Sequence, residues 1–224
     1  MNFLKIVELL SGVKSEYSNV TNESFFKTYF SKGTYGEYLT FRYLEELGES
    51  YILPNIYIQK ENGTYTEIDI ICITTKGIIV VESKNYAGSI YGNMYDINWT
   101  QYFSKYNKFK FYNPIKQNYS HIKALNEYLK TLQIENITMD NYISMIVFSN
   151  RCELRKITYN KDKDVICKRN KFKEAFIEYM KDKKDILTKE EVRNIYYKLK
   201  TNIKATKEVK EKHIKNINSF KSTL

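Results

Sequence analysis

Three charged side chains interrupt two apolar runs near the middle of the chain. The runs read EIDIICIT at 67–74 and GIIVVESK at 77–84, and the charges are Asp69, Glu82 and Lys84. Carboxylates hold divalent cations through oxygen, and a lysine can stabilise the negative charge that develops on a phosphoryl group. These residue types therefore indicate phosphoester chemistry, provided that the fold brings them together.

The pairing of the two runs decides whether these charges meet. TTKG at 74–77 predicts a hairpin whose loop has an even number of residues. In that register Asp69 lies opposite Glu82, and the alternation of strand side chains puts Asp69, Glu82 and Lys84 on one face. A three-residue loop would instead place Asp69 opposite Ser83 and scatter the charges. The predicted site therefore depends on the register.

Two opposed carboxylates repel each other, and a bound cation would relieve that repulsion. Oxygen ligands with no His or Cys beside them favour Mg²⁺ or Mn²⁺ over zinc. Alternatively, Lys84 forms a salt bridge with Glu67 or Glu82 at a strand end, and no reaction takes place there. The matching register and the apolar strands around the charges favour a reactive site over the salt bridge.

The elements around the hairpin predict a mixed α/β domain. Apolar residues at helical spacing predict a helix at 33–48 and a second helix at 114–130 that starts with Pro114. Runs rich in β-branched residues predict strands at 51–59, 64–73, 77–86 and 142–149. Pro54 assigns the first strand to a sheet edge or a bulge. The order is helix, three-strand meander, helix and strand, with a central mixed sheet flanked by helices.

Further elements extend this core on its C-terminal side. We expect a strand at 164–168 and helices at 172–181 and 188–200, the last with a capping box formed by Thr188 and Glu191. GSIYGN and INWTQYF, within 88–103, predict a second small hairpin. Four segments are therefore expected: a helical segment packed on the core at 1–30, the core at 31–150, a strand-helix-helix extension at 151–200, and a basic helix or tail at 201–224.

Composition limits the classes of protein to which the chain can belong. The chain has 224 residues, 42% of them hydrophobic, which supports a sizeable core and excludes global disorder. The net charge of +10 favours a polyanionic partner, nucleic acid before acidic lipid, although AT-rich coding would also enrich lysine. Three scattered cysteines fit neither a disulfide framework nor a zinc site, and no segment reads as a signal peptide or a membrane span. We therefore expect a cytoplasmic protein that does not insert into membranes.

The ordered set of motifs resembles a known nuclease superfamily. EID-x12-ESK on adjacent strands resembles the site of the PD-(D/E)XK nucleases, and the predicted element order matches their restriction-endonuclease-like core. Within that superfamily the chain is similar to the NERD (nuclease-related domain) family. The supporting pieces are GEYLTFRYL at 36–44, the hairpin and its flanks at 67–92, Trp99 in NWTQYF, and NPIKQNYSHIKAL at 113–125. Ile68 stands before Asp69, where proline is common in the superfamily.

The resemblance implies roles for the residues of the hairpin. Asp69 and Glu82 would hold the metal, Mg²⁺ or Mn²⁺, with help from the backbone carbonyl of Ser83. Lys84 would be the catalytic lysine. Asp69 and Glu82 count as catalytic through the metal that they hold.

Two residues on the predicted helices join this set by the same resemblance. Glu37 would be an added carboxylate near the metal, and Gln117 would face the site as a catalytic residue. Each has a plainer interpretation, because Glu37 also favours the N-terminus of its helix and Gln117 also suits a solvated helix surface. His121, one turn after Gln117, either lines the same groove or is a packing or surface residue.

Aromatic and lysine residues alternate between 99 and 130, a pattern that suits a groove tracking phosphates and stacking bases. The residues predicted to bind nucleic acid are Lys105, Lys108, Lys110, Lys116, Lys123 and Trp99. The alternative is that half of the rings belong to the core of the second hairpin and the following helix. Lysine without much arginine argues against reading of base sequence.

These observations lead to one main hypothesis and two alternatives. The main one is a metal-dependent nuclease that hydrolyses DNA phosphodiester bonds, single-stranded or duplex, with RNA as a further substrate class. The first alternative is a catalytically inactive module of the same fold that binds nucleic acid or another partner. The second is a structural domain whose charges are salt bridges. The sequence leaves a homodimer, the polarity of cleavage and the biological pathway open.

Overall fold

The computed structural model describes residues 32–49, 51–104, 106–134, 136–201 and 208–211. The helical segment expected at 1–30 and most of the tail expected at 201–224 lie outside the described residues. Within them, no helix is long and apolar enough to cross a membrane.

Between residues 32 and 201, the described residues form four α-helices, nine strands and two short 3₁₀ turns. The helices are α1 (Lys32–Glu46), α2 (Pro114–Thr131), α3 (Phe172–Lys181) and α4 (Lys189–Lys200). The strands are β1 (Ile52–Gln59), β2 (Tyr65–Thr74), β3 (Gly77–Lys84), β4 (Gly88–Asn93), β5 (Asn98–Tyr102), β6 (Lys108–Tyr112), β7 (Tyr142–Phe148), β8 (Cys152–Thr158) and β9 (Asp164–Lys168). The 3₁₀ turns are Met139–Asn141 and Arg169–Lys171.

A mixed five-stranded sheet forms the centre, in the order β1-β2-β3-β7-β9. The first three strands form an antiparallel meander, and β7 and β9 then add in parallel. This arrangement of helix, meander, helix and strand is consistent with the predicted restriction-endonuclease-like core. Pro54 lies on the edge strand β1, as its missing N–H requires.

Helices cover both faces of the central sheet. The apolar stripes of α2 and α4 pack on one face, around Ile71 and Val80. Those of α1 and α3 pack on the other face, around Ile70 and Val81. Burial on both sides explains why β2 and β3 are nearly continuous apolar runs. Thr188 caps α4 through the predicted reciprocal contacts with Glu191.

The hairpin of β2 and β3 has the register that the sequence predicts. Ile73 pairs with Ile78, and Thr75 and Lys76 form a two-residue loop. The paired positions run from this loop to Ile70 and Val81. Asp69 and Glu82 are the next positions along, so both lie at the end of the hairpin away from its loop.

The alternation of side chains changes in β1 and β2 beside Asp69. Leu53 and Ile56 join the same core cluster, as do Ile68 and Ile71, although strict alternation would separate the members of each pair. Asn55, which lies between paired residues of β1, has a φ of 52°, a conformation that asparagine tolerates better than most residues. Around this irregularity Ile68 and Ile70 are both buried in the core, and the Asp69 carboxylate accepts a hydrogen bond from β3.

A second, four-stranded sheet follows the order β6-β5-β4-β8. The predicted hairpin of β4 and β5 lies at its centre, while β6 and β8 are strands that the sequence did not predict. One face of this sheet packs Ile90 and Trp99 against Ile146 and Phe148 of β7. The second sheet is thereby attached to the central sheet at the end of β3.

Candidate active site

Lys84 is the last residue of β3, and its ammonium group lies at the centre of the candidate site. Its Nζ donates to Glu82 Oε1 at 2.6 Å and to Gln117 Oε1 at 2.9 Å. Glu82 and Lys84 are two positions apart on one strand, so their side chains leave the same face. The structure therefore brings together the predicted lysine, one predicted carboxylate and the predicted glutamine.

Helix α2 is fixed to the sheets in a way that positions Gln117. At its N-terminus, the Asn113 side chain accepts from Ile115 N–H at 2.9 Å and donates to the backbone carbonyl of Asp96 at 2.8 Å. One turn further on, buried Asn118 donates to the Val80 carbonyl at 2.9 Å and touches Ser144. Because β3 holds Lys84 and this helix holds Gln117, these contacts set the distance between the two.

His121 belongs to the site through Glu82. Its Nδ1 is 2.8 Å from the Thr66 hydroxyl, and its Nε2 is 3.1 Å from Glu82 Oε2. If the hydroxyl donates to Nδ1, the proton of a neutral ring stays on Nε2 and faces Glu82. The contact with Oε2 falls outside good hydrogen-bond geometry, so this buried oxygen keeps capacity to accept a further ligand. The structure places His121 in a buried position between Thr66 and Glu82, and a role in the site stays a prediction.

Asp69 reaches β3 through the backbone of Ser83. The Ser83 N–H donates to Asp69 Oδ2 at 2.7 Å, which holds the carboxylate beside Glu82. The Ser83 hydroxyl is buried and makes no hydrogen bond within the described residues. The predicted contact between the two strands at Asp69 is thus present, but through a backbone amide rather than through the Glu82 side chain.

Glu37 approaches the site from α1, on the opposite side of the sheet from α2. It is held close enough to interact with Glu82, Lys84 and Arg169. Gly36, the preceding residue, leaves room for the Arg169 guanidinium, since a Cβ at Gly36 would lie 2.5 Å from Arg169 Nη2. Arg169 is buried, and its Nε and Nη2 make no hydrogen bond within the described residues. Arg169 follows β9 and was not predicted.

Crowding of the carboxylates separates their pKa values. Burial, reinforced by Glu82 and Glu37, raises the pKa of Asp69 well above its usual range. Burial and the neighbouring Glu67 and Glu82 raise the pKa of Glu37 to about 7. Burial also acts to raise the pKa of Glu82, but Lys84 and His121 outweigh it, and the net shift is downward. Glu82 is therefore ionised while Asp69 and Glu37 hold protons more strongly than ordinary carboxyls.

Lys84 keeps its proton in this environment. Burial alone would lower the pKa of its ammonium, but the Glu82 carboxylate raises it above the ordinary value. A lysine that is charged near neutral pH suits stabilisation of negative charge better than removal of a proton. Lys84 thus places a permanent cation beside several acidic oxygens.

The donor set fits a hard divalent cation. No three His, Cys, Asp or Glu side chains are grouped as a ready-made metal site in the part of the chain that the structure describes. However, Asp69, Glu82 and Glu37 supply only oxygen ligands, and Glu82 Oε2 and the Ser83 hydroxyl are buried without well-formed hydrogen bonds. A cation would also relieve the carboxylate repulsion that raises two of the pKa values. Mg²⁺ and Mn²⁺ match this chemistry.

The residues predicted to bind nucleic acid fall into different places. Lys108 and Lys110 are exposed on β6, and Lys123 is exposed on α2, where it lies 3.8 Å from Glu127. Lys116 donates to the Tyr95 carbonyl at 2.8 Å. Lys105 lies outside the described residues. Binding of phosphates by the four described lysines stays a prediction.

The prediction for Trp99 is wrong. Its ring is fully buried and stacks on Phe148, with centroids 6.2 Å apart, and its Nε1 donates to the Asn93 carbonyl at 3.0 Å. Gly92 presses against it, since a Cβ there would lie 2.1 Å from Trp99 Cδ2. No face of the indole is open to a base. Trp99 instead fixes the second sheet to β7.

Comparison with known proteins finds a family model and a relative that this chain matches. A family model described as nuclease-related domain, NERD, matches residues 32–149. An uncharacterized protein of Bacillus anthracis is 38% identical over 193 residues, which make up 84% of this chain and 84% of that protein. The crystal structure of a protein of unknown function has a TM-score of 0.33 at 12% identity, covering 83% of this chain and 96% of that one. A similarity at that level carries no argument.

Proposed function

The chain belongs to the nuclease-related domain family, and from that premise we propose that it is a metal-dependent nuclease that hydrolyses DNA phosphodiester bonds. The observation that supports this proposal best is the position of the Lys84 ammonium group. It lies between Glu82 and Gln117 at hydrogen-bond distance, beside the Asp69 carboxylate, at the end of a rigid sheet. A purely structural salt bridge needs neither the glutamine nor the second carboxylate.

Asp69 and Glu82 would hold the divalent cation, Mg²⁺ or Mn²⁺, with Glu37 and the Ser83 carbonyl as further oxygen donors. When bound, such a cation polarises a phosphoryl oxygen and activates water. Lys84 keeps its proton at Nζ and directs positive charge at the phosphate as negative charge builds on its oxygens. Gln117 fixes the rotamer of Lys84 by accepting its second N–H, and His121 keeps Glu82 oriented.

Cleavage assays with matched variants test this proposal. Supercoiled and linear duplex DNA, single-stranded DNA and RNA are incubated with the protein and Mg²⁺ or Mn²⁺. We expect Lys84→Gln, whose amide can still bond to Glu82, to lower the cleavage rate about 100-fold or more while circular dichroism stays native. Lys189→Ala, which removes an exposed lysine at the start of α4, serves as the control.

The outcomes of this assay separate the proposals. No cleavage of any substrate by the wild type would overturn the nuclease proposal. Equal cleavage by Lys84→Gln would show that the activity comes from elsewhere. RNA cleaved in place of DNA would keep the chemistry and change the substrate.

One observation favours the inactive module as a second candidate. The Glu82 side chain already contacts the Lys84 ammonium, which balances its charge without a metal, and His121 lies beside it. In that case the protein would bind nucleic acid without cleaving it. Oligonucleotide binding with no Mn²⁺-dependent cleavage would support this candidate.

The cellular setting and the segment boundaries are also proposals. We place the protein in the cytoplasm, since Cys72, Cys152 and Cys167 are buried free thiols. We propose that the core at 31–150 and the extension at 151–200 form one folding unit, because α3 and α4 pack on the central sheet. Limited proteolysis that released 151–200 from a stable core would contradict this.

A further inference from the structure

The two faces of the second sheet differ in character. One face is the apolar side that packs Ile90 and Trp99 against β7. The other, which we name the open face, carries Ser89, Tyr91, Thr100, Tyr102, Lys108 and Lys110. None of these six side chains is buried.

The strand register places the side chains of the open face in two rows. Ser89 pairs with Tyr102, which pairs with Lys108. Tyr91 pairs with Thr100, which pairs with Lys110. Residues directly opposite on antiparallel strands share a face, so each row runs from β4 across β5 to a lysine on β6. The tyrosine rings lie over the central strands β4 and β5, and the lysine ammonium groups lie along the edge strand β6.

The aromatic rings of the open face border a groove. Tyr91 and Tyr102 meet edge to face, with centroids 5.2 Å apart and ring planes at 76°. Phe103, which continues β5, is half exposed and completes the wall. A groove of about 520 Å³ opens between Ser89, Tyr91, Thr100, Tyr102, Phe103 and Ser104. Ring faces and hydroxyls therefore line the same open space.

The charge along the open face is mainly positive. Lys108 and Lys110 are exposed on β6, at the far edge of the sheet. On β8, the edge strand at the other end of this sheet, Glu153 pairs with Ser89. Its carboxylate accepts a hydrogen bond of 2.9 Å from Arg155 Nε. The acidic side chain is thus neutralised within the protein, and the lysines are left to attract a polyanion.

We propose that the open face binds a single-stranded stretch of nucleic acid. Bases would stack on Tyr91, Tyr102 and Phe103, and phosphates would contact Lys108 and Lys110. Base stacking needs unpaired bases, because the rings of a duplex are stacked on each other and closed to side chains. That the ligand is nucleic acid rests on the proposed function, and the open face adds the strand state and the surface that binds it.

The connection between β3 and β4 keeps this surface close to the candidate active site. Lys84 ends β3 and Gly88 begins β4, so their Cα atoms are at most ~14 Å apart. The connection is anchored, because the Ser149 hydroxyl donates to the Tyr86 carbonyl and Gln101 Nε2 donates to the Ala87 carbonyl at 2.7 Å. Ser89, at the near end of the open face, therefore has its Cα within ~18 Å of the Lys84 Cα.

Fluorescence anisotropy in EDTA measures this binding without cleavage. The probes are labelled oligothymidylate and a blunt duplex hairpin. We expect the double variant Tyr91→Leu/Tyr102→Leu to bind oligothymidylate about tenfold more weakly or worse, with a smaller change for the hairpin. We expect Lys108→Gln/Lys110→Gln to reduce the salt slope of binding by about 0.7 for each phosphate that no longer meets a lysine. Tyr197→Leu is the matched control, an exposed tyrosine on α4 beside Arg193 and Lys200.

Each outcome decides the inference independently of the nuclease assay. If the folded double tyrosine variant binds oligothymidylate as tightly as the wild type does, the inference is wrong. The open face would then be a candidate surface for binding a protein partner. An equal loss for the hairpin and the single strand would also overturn it. A selective loss for the single strand supports it, whether or not Lys84→Gln affects cleavage, because no cleavage takes place in EDTA.

Discussion

Gln117 Oε1 accepts a hydrogen bond of 2.9 Å from Lys84 Nζ, which joins α2 to the last residue of β3. Lys84 has three N–H donors, and Glu82 takes another of them at 2.6 Å. The remaining donor has a defined direction because the other two are held. Glu82 and Gln117 together therefore orient the Lys84 ammonium group, and Glu82 also balances its charge.

Gln117→Ala is expected to leave Lys84 charged but poorly aimed. Hydrogen bonds to charged groups contribute ~1.5–3 kcal/mol, so cleavage should slow about 10- to 100-fold. Single-turnover rates on the preferred DNA substrate measure this, with Tyr119→Ala, an exposed position on the same helix, as the control. A wild-type rate for Gln117→Ala, in an enzyme that Lys84→Gln disables, would rule out the aiming role.

Glu37→Gln is expected to change how stability depends on pH. The folded-state pKa of Glu37 is about 7, above its ordinary value of 4.5, so its contribution to stability is complete below pH 4.5 and lost as the pH rises through 7. Glutamine resembles the protonated form at every pH. Relative to the wild type, the variant should therefore gain ~1–3 kcal/mol of unfolding free energy between pH 5 and pH 8.

Urea unfolding at these two pH values, in EDTA, measures the difference for Glu37→Gln. Glu190→Gln, which removes an exposed carboxylate from the first turn of α4, is the control. A constant difference between variant and wild type across this range would mean that Glu37 titrates normally.

His121 and Thr66 are expected to act as a unit in holding Glu82. Thr66→Val removes the hydroxyl that lies 2.8 Å from Nδ1, and His121→Ala removes the imidazole that faces Glu82. Each should lower the unfolding free energy by ~1–3 kcal/mol, because buried polar groups lose a partner. The double variant should lose less than the two single losses combined, by at least ~0.5 kcal/mol, since the two contacts form one chain. Strict additivity in denaturant unfolding would show that the two residues act separately.

Gly92→Ala is expected to destabilise the second sheet. The added methyl group would lie 2.1 Å from Trp99 Cδ2, and the indole is buried and stacked, so it has little room to shift. Overpacking of this kind should cost about 3 kcal/mol in thermal or urea unfolding. In a Trp99→Leu background the same substitution should cost much less. An equal cost in both backgrounds would locate the strain elsewhere.

The sequence predicted the hairpin register because it depends on local features. The two-residue loop after Thr74 and the apolar runs on either side leave one pairing that fills both faces of the sheet. The capping box of Thr188 and Glu191 is local in the same sense. Four residues named for the site, Asp69, Glu82, Lys84 and Gln117, meet as a consequence of that register and of the helix that follows.

Features that depend on distant parts of the chain were not predictable in this way. β8 is mostly exposed and polar, and it becomes a strand because β4, far earlier in the sequence, pairs with it. The sequence around Trp99 is the same whether its ring stacks on bases or on Phe148. Only the tertiary packing distinguishes a binding residue from a core residue. Arg169 lies far from the site in sequence, and no local pattern marks it. Tertiary proximity, rather than residue type, decided each of these outcomes.

The Arg169 guanidinium occupies the space that a side chain at position 36 would need, because a methyl group there would clash with it. This contact constrains the order in which the two positions can change during evolution. A lineage that first shortens Arg169 opens space in which residue 36 can gain a side chain, and the helix then benefits from alanine. A lineage that changes Gly36 first must pass through a crowded intermediate. Relatives should therefore carry glycine with arginine, or a larger residue with a shorter partner, and the mixed combination of alanine with arginine should be rare.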